Sequence, residues 1–138
     1  MEGKPPKIGK PNIEVLEQGN DISFTARQQE KILASLQCEK DLPRAALIAR
    51  TIVVEKDFTK QGIGSNLLIE AINYARSHKL SLETDYGISE NAEKLIQSLS
   101  EKGYSFIKNS GAIERAGTEG KRIVTLDGSP VYILEDKE

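Results

Sequence analysis

Residues 51–75 read TIVVEKDFTKQGIGSNLLIEAINYA, and the rest of the chain is organised around this stretch. It begins with the β-branched run 52–54, which favours an extended backbone because two heavy atoms on Cβ suit a pleated surface. From Ile63 onward, apolar residues recur at helical spacing along one face. The stretch therefore predicts a strand, a short loop, a glycine-rich turn and a helix over 62–77.

The turn Gly62-Ile63-Gly64-Ser65 falls at the start of the predicted helix. A helix N-terminus presents unpaired N–H groups and a partial positive charge, which together bind phosphate or another anion. A side chain at either glycine would hold a phosphate away from the backbone. The turn predicts an anion site. The alternative is that these residues simply start the helix and bind no ligand.

Two common phosphate-binding patterns do not fit this turn. The P-loop requires a lysine directly after the last glycine, where this chain has Ser65, and the dinucleotide fingerprint requires a third glycine where it has Leu67. The segment VEKDFTKQGIGSNLL instead resembles motif A of the GNAT superfamily of N-acetyltransferases, V-x-P-x-Y-[RQ]-x-x-G-[IVL]-[GA]-x-x-L-[LM]. The matching residues are Val54, Phe58, Gly62, Ile63, Gly64, Leu67 and Leu68. The departures are Lys56 in place of the proline and Thr59 in place of the arginine or glutamine.

Length and charge exclude several classes of protein. The chain has 138 residues, enough for one domain with a real core, and a net charge of −2 with both signs interspersed. This charge pattern gives no indication of nucleic acid or an anionic membrane as partner. No apolar run approaches the roughly 20 residues of a membrane span. Cys38 is the only cysteine and the N-terminus is polar, so we expect a cytoplasmic protein without disulfides and without a metal site.

The chain divides into an arm and one domain. Residues 1–12 hold three prolines, two glycines and three lysines, a composition that predicts a flexible arm or a linker. Residues 13–138 are expected to form a single acetyltransferase-like domain. If the arm is a linker, the chain is a piece of a longer protein, and both alternatives stay open.

The first half of the chain predicts mostly strands. Residues 13–16 and 22–25 have β character on either side of Gly19-Asn20, a hairpin signal. Three apolar residues within 26–38 have the spacing of an amphipathic helix. The run 45–54 is the longest β-like segment and predicts a strand with a bulge, or two strands, because Arg50-Thr51 interrupts it.

The second half predicts the other helix and the remaining strands. Residues 79–83 alternate and predict a strand parallel to the preceding one, with the organising helix as the crossover. Residues 85–89 are expected to form a turn, and a second helix follows the N-cap Ser89. We expect a strand over 104–107, a long polar loop over 108–120, and two strands over 122–126 and 131–134 joined as a hairpin. The fold class is α/β, a GNAT-like mixed sheet with helices on both faces.

The resemblance implies a co-substrate and the residues that bind it. It extends, more weakly, to Asn91-Ala92, Leu95, Leu99 and Gly103-Tyr104, which are similar to the family's next helix. In this family the motif-A strand binds the pantetheine arm of acetyl-CoA, and the amides of the glycine turn hold its pyrophosphate. The implied cofactor-binding residues are Ile52, Val53, Val54, Lys60, Gln61, Gly62, Ile63, Gly64, Ser65 and Asn91. Lys60 also fits an exposed loop charge.

The catalytic residues of the family are harder to find in this chain. Arg50 and Thr51 stand where many members have an acid on the motif-A strand, and Leu99 takes the place of the tyrosine that protonates the leaving thiolate. Glu83 is the nearest carboxylate that could serve as general base, although its alternation with Leu82 also fits a solvated strand residue.

The resemblance implies an N-acyltransferase that transfers an acetyl group directly to a primary amine of a small molecule or protein. The alternative is an inactive GNAT-fold structural or interaction module. Neither the acceptor nor the oligomeric state can be read from the sequence.

Overall fold

A computed structural model describes residues 12–55, 62–117 and 120–135 of the chain. The predicted arm 1–12 lies outside these ranges except for Asn12, and so do Lys60 and Gln61. The strands are β1 Asn12–Gln18, β2 Asp21–Gln28, β3 Lys31–Asp41, β4 Ala46–Val54, β5 Ser81–Thr84, β6 Gly87–Ser89, β7 Phe106–Lys108, β8 Ile113–Gly117, β9 Gly120–Val124 and β10 Tyr132–Leu134. The helices are α1 Ile63–Ser77 and α2 Glu90–Glu101.

The described strands form two sheets, and the larger sheet is mixed. It has seven strands in the order β1-β2-β3-β4-β5-β10-β7, with one parallel pair, β4 and β5, among antiparallel neighbours. The smaller sheet has three strands in the order β6-β9-β8. The predicted fold class, a mixed sheet with helices, is confirmed.

The predicted hairpin at the front is confirmed, but the helix predicted over 26–38 is wrong. β1 and β2 pair antiparallel through the turn at Gly19, and most of the predicted helix is β3. A bulge causes the misleading pattern: Ala26 pairs with Ala34 and Arg27 with Ile32, so Leu33 is an extra residue in the strand. The bulge breaks the two-residue alternation and imitates helical spacing, because adjacent Leu33 and Ala34 are both buried.

The crossover predicted around the organising helix is confirmed. β4 and β5 pair in parallel from Ala46–Ser81 to Ala49–Thr84, and α1 connects them. The helix buries its predicted apolar face against the larger sheet. Its buried residues include Ile63, Leu67, Leu68, Ala71, Ile72 and Ala75. Phe24 of β2 and Leu36 of β3 are fully buried in the same core.

Two predictions for the second half, the turn 85–89 and the loop 108–120, need correction. Gly87–Ser89 of the expected turn 85–89 form the short strand β6, although Ser89 caps α2 as predicted, accepting a hydrogen bond from the Ala92 amide at 3.1 Å. The expected loop 108–120 contains β8 and the start of β9. These strands escaped detection because nearly all of their residues are exposed, so no apolar alternation marks them.

The predicted terminal hairpin is also wrong. β9 pairs with β6 and β8, whereas β10 pairs with β5 and β7 in the larger sheet. The turn itself forms, since the Ser129 amide donates to Asp127 Oδ1 at 3.1 Å. The chain therefore changes sheets at this turn. No helix in the described ranges is long and apolar enough to span a membrane.

Candidate functional site

The site begins with an unpaired edge of β4. The parallel pairing with β5 ends at Ala49–Thr84, while β4 continues to Val54. On its other side β4 stays paired with β3 up to Ala34–Val54. The last five residues of β4, 50–54, therefore have no described strand on the β5 side, and those of their backbone groups that point to that side are available to a ligand.

A bulge lies where the two strands separate. Gln37 pairs with Thr51 and Cys38 with Ala49, so Arg50 has no partner on β3. This bulge confirms the interruption that the sequence indicated at Arg50-Thr51. Bulges re-aim side chains and often lie beside active sites, and here the bulge directs Arg50 to the opening between the strands, where it lines a cavity.

The N-terminus of α1 lies beside this opening. Gly62 is the N-cap residue with φ of 77°, a left-handed conformation that favours glycine, and no side chain of the described residues caps the helix. No acidic residue lies in its first turn. The amides at this end are therefore not neutralised by a side chain of the helix itself, as an anion site requires.

Two adjoining cavities fill the space between β4, α1 and α2. The inner cavity, about 230 Å³, is lined by residues of β4, by Thr84 at the end of β5, by β6 and α2, and by Arg122 of β9. The outer cavity, about 470 Å³, is lined by Ile52, Val54, Gly62, Gly64, Ser89, Asn91, Ala92, Lys94 and Leu95. Four residues line both cavities: Ile52, Ser89, Ala92 and Leu95. Together they run from the helix N-terminus to the bulge.

The outer cavity brings together many of the predicted cofactor-binding residues. Ile52, Val54, Gly62, Gly64 and Asn91 line it. Val53 alternates away and is 58% exposed, so only its backbone is placed to contribute. Ile63 and Ser65 are buried in the first turn of α1.

Arg50 is held by two carboxylates at the mouth of the inner cavity. Its Nε and Nη2 donate to Glu39 Oε1 at 3.0 and 2.6 Å, and its Nη1 donates to Asp85 Oδ1 at 3.0 Å. The hydrogen bond to Glu39 is the main cause that raises the pKa of Arg50 above its ordinary value, so the guanidinium stays charged. Arg50 is a fixed, neutralised cation and not a proton acceptor.

Glu83, the predicted general base, lies outside both cavities. Its Oε1 accepts a hydrogen bond from Arg44 Nη2 at 2.7 Å, and the residue is only 6% exposed. Its neighbour Thr84 lines the inner cavity, and successive side chains of a strand point to opposite faces. The role of Glu83 as base stays a prediction, and the ion pair with Arg44 argues against it.

Leu99 and Cys38 are both buried and have structural roles. Leu99, at the place of the family's tyrosine, is fully buried in the main core. Burial raises the pKa of the Cys38 thiol to about 12, so this thiol is not an activated nucleophile. Among the described residues no group of three or more His, Cys, Asp or Glu side chains is arranged to hold a metal ion.

Sequence reasoning missed two cations at the site. Lys94 of α2 lines the outer cavity and Arg122 of β9 lines the inner one. Lys94 stands three residues after Asn91 and could have been found from the helical period. Arg122 had no such signal, because only the pairing of β9 with β6 brings it to the cavity.

Comparison with known proteins agrees with this architecture. The family model described as "Acetyltransferase (GNAT) family" matches residues 4–100. Three solved structures illustrate the similarity. An acetyltransferase from Bacillus subtilis in complex with CoA has 15% identity and a TM-score of 0.61, covering 94% of this chain and 100% of that one. The ribosomal-protein-S18-alanine N-acetyltransferase from Escherichia coli has 21% identity, a TM-score of 0.56 and coverages of 83% and 72%. Nourseothricin acetyltransferase has 14% identity, a TM-score of 0.59 and coverages of 84% and 65%.

The chain belongs to the GNAT acetyltransferase family, since the family model matches more than half of it. No curated protein matches the sequence. The structural similarities, all at low identity, support the fold. The chain spans 65% of the length of nourseothricin acetyltransferase, so it is shorter than some of the proteins it resembles.

Proposed function

We propose that this protein is an acetyl-CoA-dependent N-acyltransferase that acts on a primary amine by direct transfer. The observation that carries the proposal is the unpaired edge of β4, which lies next to an uncapped helix N-terminus along one continuous opening. Acetyl-CoA needs both features, because its pantetheine arm carries amide groups and its pyrophosphate is an anion. The neighbour from Bacillus subtilis was solved with CoA, and the neighbour from Escherichia coli is named as an N-acetyltransferase.

The residues present fit this co-substrate. At Gly64 a Cβ would lie 3.1 Å from Leu95 Cδ1 and 3.5 Å from Val54 Cγ2, so glycine keeps the narrow part of the outer cavity open. Ile52 to Val54 would offer backbone groups to the pantetheine amides, and the amides of the Gly62–Ser65 turn would hold the pyrophosphate. Lys94 would add a positive charge at the same cavity.

The proposed transfer forms one bond and breaks one bond. When bound, the thioester supplies an acetyl carbonyl carbon that the neutral amine attacks; a C–N bond forms, the C–S bond breaks, and the sulfur leaves as a thiolate. The amine loses one proton to water, and the thiolate takes one from water. The chain contributes position, since the edge of β4 and the two adjoining cavities would hold both reactants together, which is worth about 7–11 kcal/mol in well-aligned systems.

The residues near the bulge support transfer without a strong general base. Among the described residues, two arginines and no carboxylate line the inner cavity. A general base typically contributes about 10²–10⁴-fold in rate. We therefore expect slow transfer whose rate rises with pH as the acceptor amine loses its proton, without an enzyme-derived acidic limb near neutrality.

A second candidate function is an inactive binding or interaction module with the same fold. It is favoured by Leu99, which is fully buried and leaves no tyrosine on α2 to protonate the thiolate, and by the charge of Arg50 where an acid is usual. The intact glycine turn and the open cavity favour the enzyme, since a module without a ligand has no need of them.

The decisive experiment is a thermal-shift titration with CoA and acetyl-CoA, followed by acetylation assays with an amine panel read by mass spectrometry. A ligand at 100 times its Kd stabilises the native state by about 2.7 kcal/mol.

Lys94→Glu should weaken CoA binding about tenfold or more, because the new carboxylate repels the phosphates of CoA. Lys102→Glu is the matched control and should not weaken binding, because Lys102 is an exposed residue at the other end of α2. No stabilisation by CoA would overturn the proposal; binding without transfer to any amine would favour the module.

A further inference from the structure

The inner cavity has one cation that is neutralised and one that is not. Arg50 makes three hydrogen bonds to Glu39 and Asp85. Arg122 of β9, which also lines this cavity, has no hydrogen-bond or ion-pair partner for its guanidinium within the described part of the chain, and it is exposed. An arginine that lines a cavity without a counter-charge provides a fork of donors for a ligand.

The backbone beneath Arg122 leaves room for this arrangement. A Cβ at Gly87 would lie 3.3 Å from Arg122 Nη2 and 3.3 Å from Val124 Cγ1. Gly87 has no left-handed backbone angle that would require glycine. A side chain at Gly87 would therefore push the guanidinium a few tenths of an ångström away from β6 at the cavity wall.

The position of Arg122 separates it from the proposed CoA site. It lines the inner cavity with Thr51 and Thr84, and it is not among the residues around the helix N-terminus that line the outer cavity. If acetyl-CoA occupies the outer cavity, the inner cavity at the bulge is left for the acceptor. No described carboxylate lines it, and the two carboxylates at its mouth, Glu39 and Asp85, are already paired with Arg50, so an acceptor that carries only ammonium groups would find no unpaired counter-charge among the described residues.

We propose that the acceptor amine also carries a carboxylate, as in an amino acid, and that Arg122 binds this carboxylate. Arginine and carboxylate match in geometry and form paired N–H···O hydrogen bonds. The acceptor amine is then held at the bulge end of the cavity. This inference rests on the proposed acetyl transfer and specifies its substrate class.

The test compares matched amines that differ only in the anionic group. The pairs are glycine and glycinamide, β-alanine and β-alaninamide, and 4-aminobutyrate and 4-aminobutanamide, with spermidine as a purely cationic amine. In at least one pair, kcat/KM for the carboxylate member should exceed that of the amide about tenfold, the factor typical of one charge-assisted hydrogen bond. Because an α-carboxylate changes the pKa of the amine, rates are compared for the neutral amine form.

Two variants assign the preference to one side chain. Arg122→Gln should abolish the preference, while Lys121→Gln should keep it. Lys121 is the neighbouring exposed cation of β9, and its side chain points to the opposite face of the strand. The Kd for CoA should change less than twofold in either variant.

Any other result contradicts either the role of Arg122 or the proposed function. Acetylation of amines without a carboxylate preference, or an equal loss of preference in both variants, overturns the inference and leaves the proposed function standing. A weaker CoA affinity in Arg122→Gln would show that Arg122 binds the co-substrate instead. If no amine is acetylated, the proposed function fails, and calorimetric titration of the same pairs into the CoA-loaded protein still decides whether Arg122 binds a carboxylate.

Discussion

Gly64 of α1 lies so close to Leu95 of α2 that a Cβ on Gly64 would approach Leu95 Cδ1 to 3.1 Å. The two helices meet at this point, and the outer cavity opens directly beside it. The glycine therefore serves two purposes, since it permits the packing of α2 and keeps the space next to the α1 amides free.

Replacing this glycine should separate binding from folding. Gly64→Glu places a side chain in the outer cavity and a negative charge at the proposed phosphate site, so we expect CoA binding to be lost in calorimetric titration. Gly64→Ala is the matched control; the flexible Leu95 can yield a few tenths of an ångström, and alanine favours a helix by about 1 kcal/mol. A Gly64→Glu protein that keeps its circular dichroism spectrum and binds CoA unchanged would refute the anion site.

Glu83→Gln tests the one carboxylate that the sequence indicated as base. Because Glu83 is buried in an ion pair with Arg44, we expect the variant to lose stability while the acetylation rate falls less than tenfold. Arg44→Gln should give a similar loss of stability and serves as control. A hundredfold fall in rate for Glu83→Gln alone, with CoA affinity intact, would make Glu83 the general base.

The thiol of Cys38 should be inert in the native protein. It is 3% exposed, and burial raises its pKa to about 12, so almost none is thiolate at neutral pH. An aromatic disulfide reagent should titrate no thiol before denaturation and one thiol after it, since the chain has a single cysteine. Rapid reaction of the folded protein would show that β3 opens readily.

The acid sensitivity of the protein should depend on Glu93. Burial acts to raise the pKa of Glu93, but the hydrogen bonds from Lys108 Nζ at 3.0 Å and Tyr132 Oη at 2.9 Å lower it below its ordinary value of 4.5. A lowered folded-state pKa means stability that is present above pH 4.5 and lost as the pH falls through the folded pKa.

The measurement for Glu93 is the free energy of unfolding in urea from pH 7 down to pH 3. Glu93→Gln should cost about 1 kcal/mol at pH 7, and the difference from wild type should shrink on acidification. Glu90→Gln, an exposed residue of the same helical turn, should leave the profile unchanged. A difference that is constant with pH would mean that the charge of Glu93 does not contribute.

The sequence predicts the organising stretch well because local and tertiary preferences agree there. Ile52 to Val54 are β-branched and lie in a strand, and the apolar period after Ile63 matches the buried face of α1. Around Leu33 the two disagree, since an extra residue in the strand gives helical spacing to a segment that cross-strand pairing keeps extended. The strands β8 and β9 leave no apolar pattern because they lie at the surface.

The candidate site likewise contains residues that the sequence predicts and one that it does not. The glycine turn belongs to the motif, Asn91 follows from the resemblance of the next helix to the family, and the structure places both at one cavity. Arg122 reaches that region through an exposed strand that pairs with β6, and no local pattern can report a contact made by such a distant segment.

The incomplete pairing of β4 with β5 has a consequence for the state of the protein in the cell. The amides between Thr51 and Val54 that point away from β3 have no described strand to accept their hydrogen bonds, so they should exchange with deuterated solvent quickly in the ligand-free protein. A pantetheine arm in the gap would act as a short substitute strand and slow this exchange. The coenzyme would then complete the β-sheet in addition to donating its acetyl group. The stability of the folded chain would therefore rise with the concentration of coenzyme A in the cell.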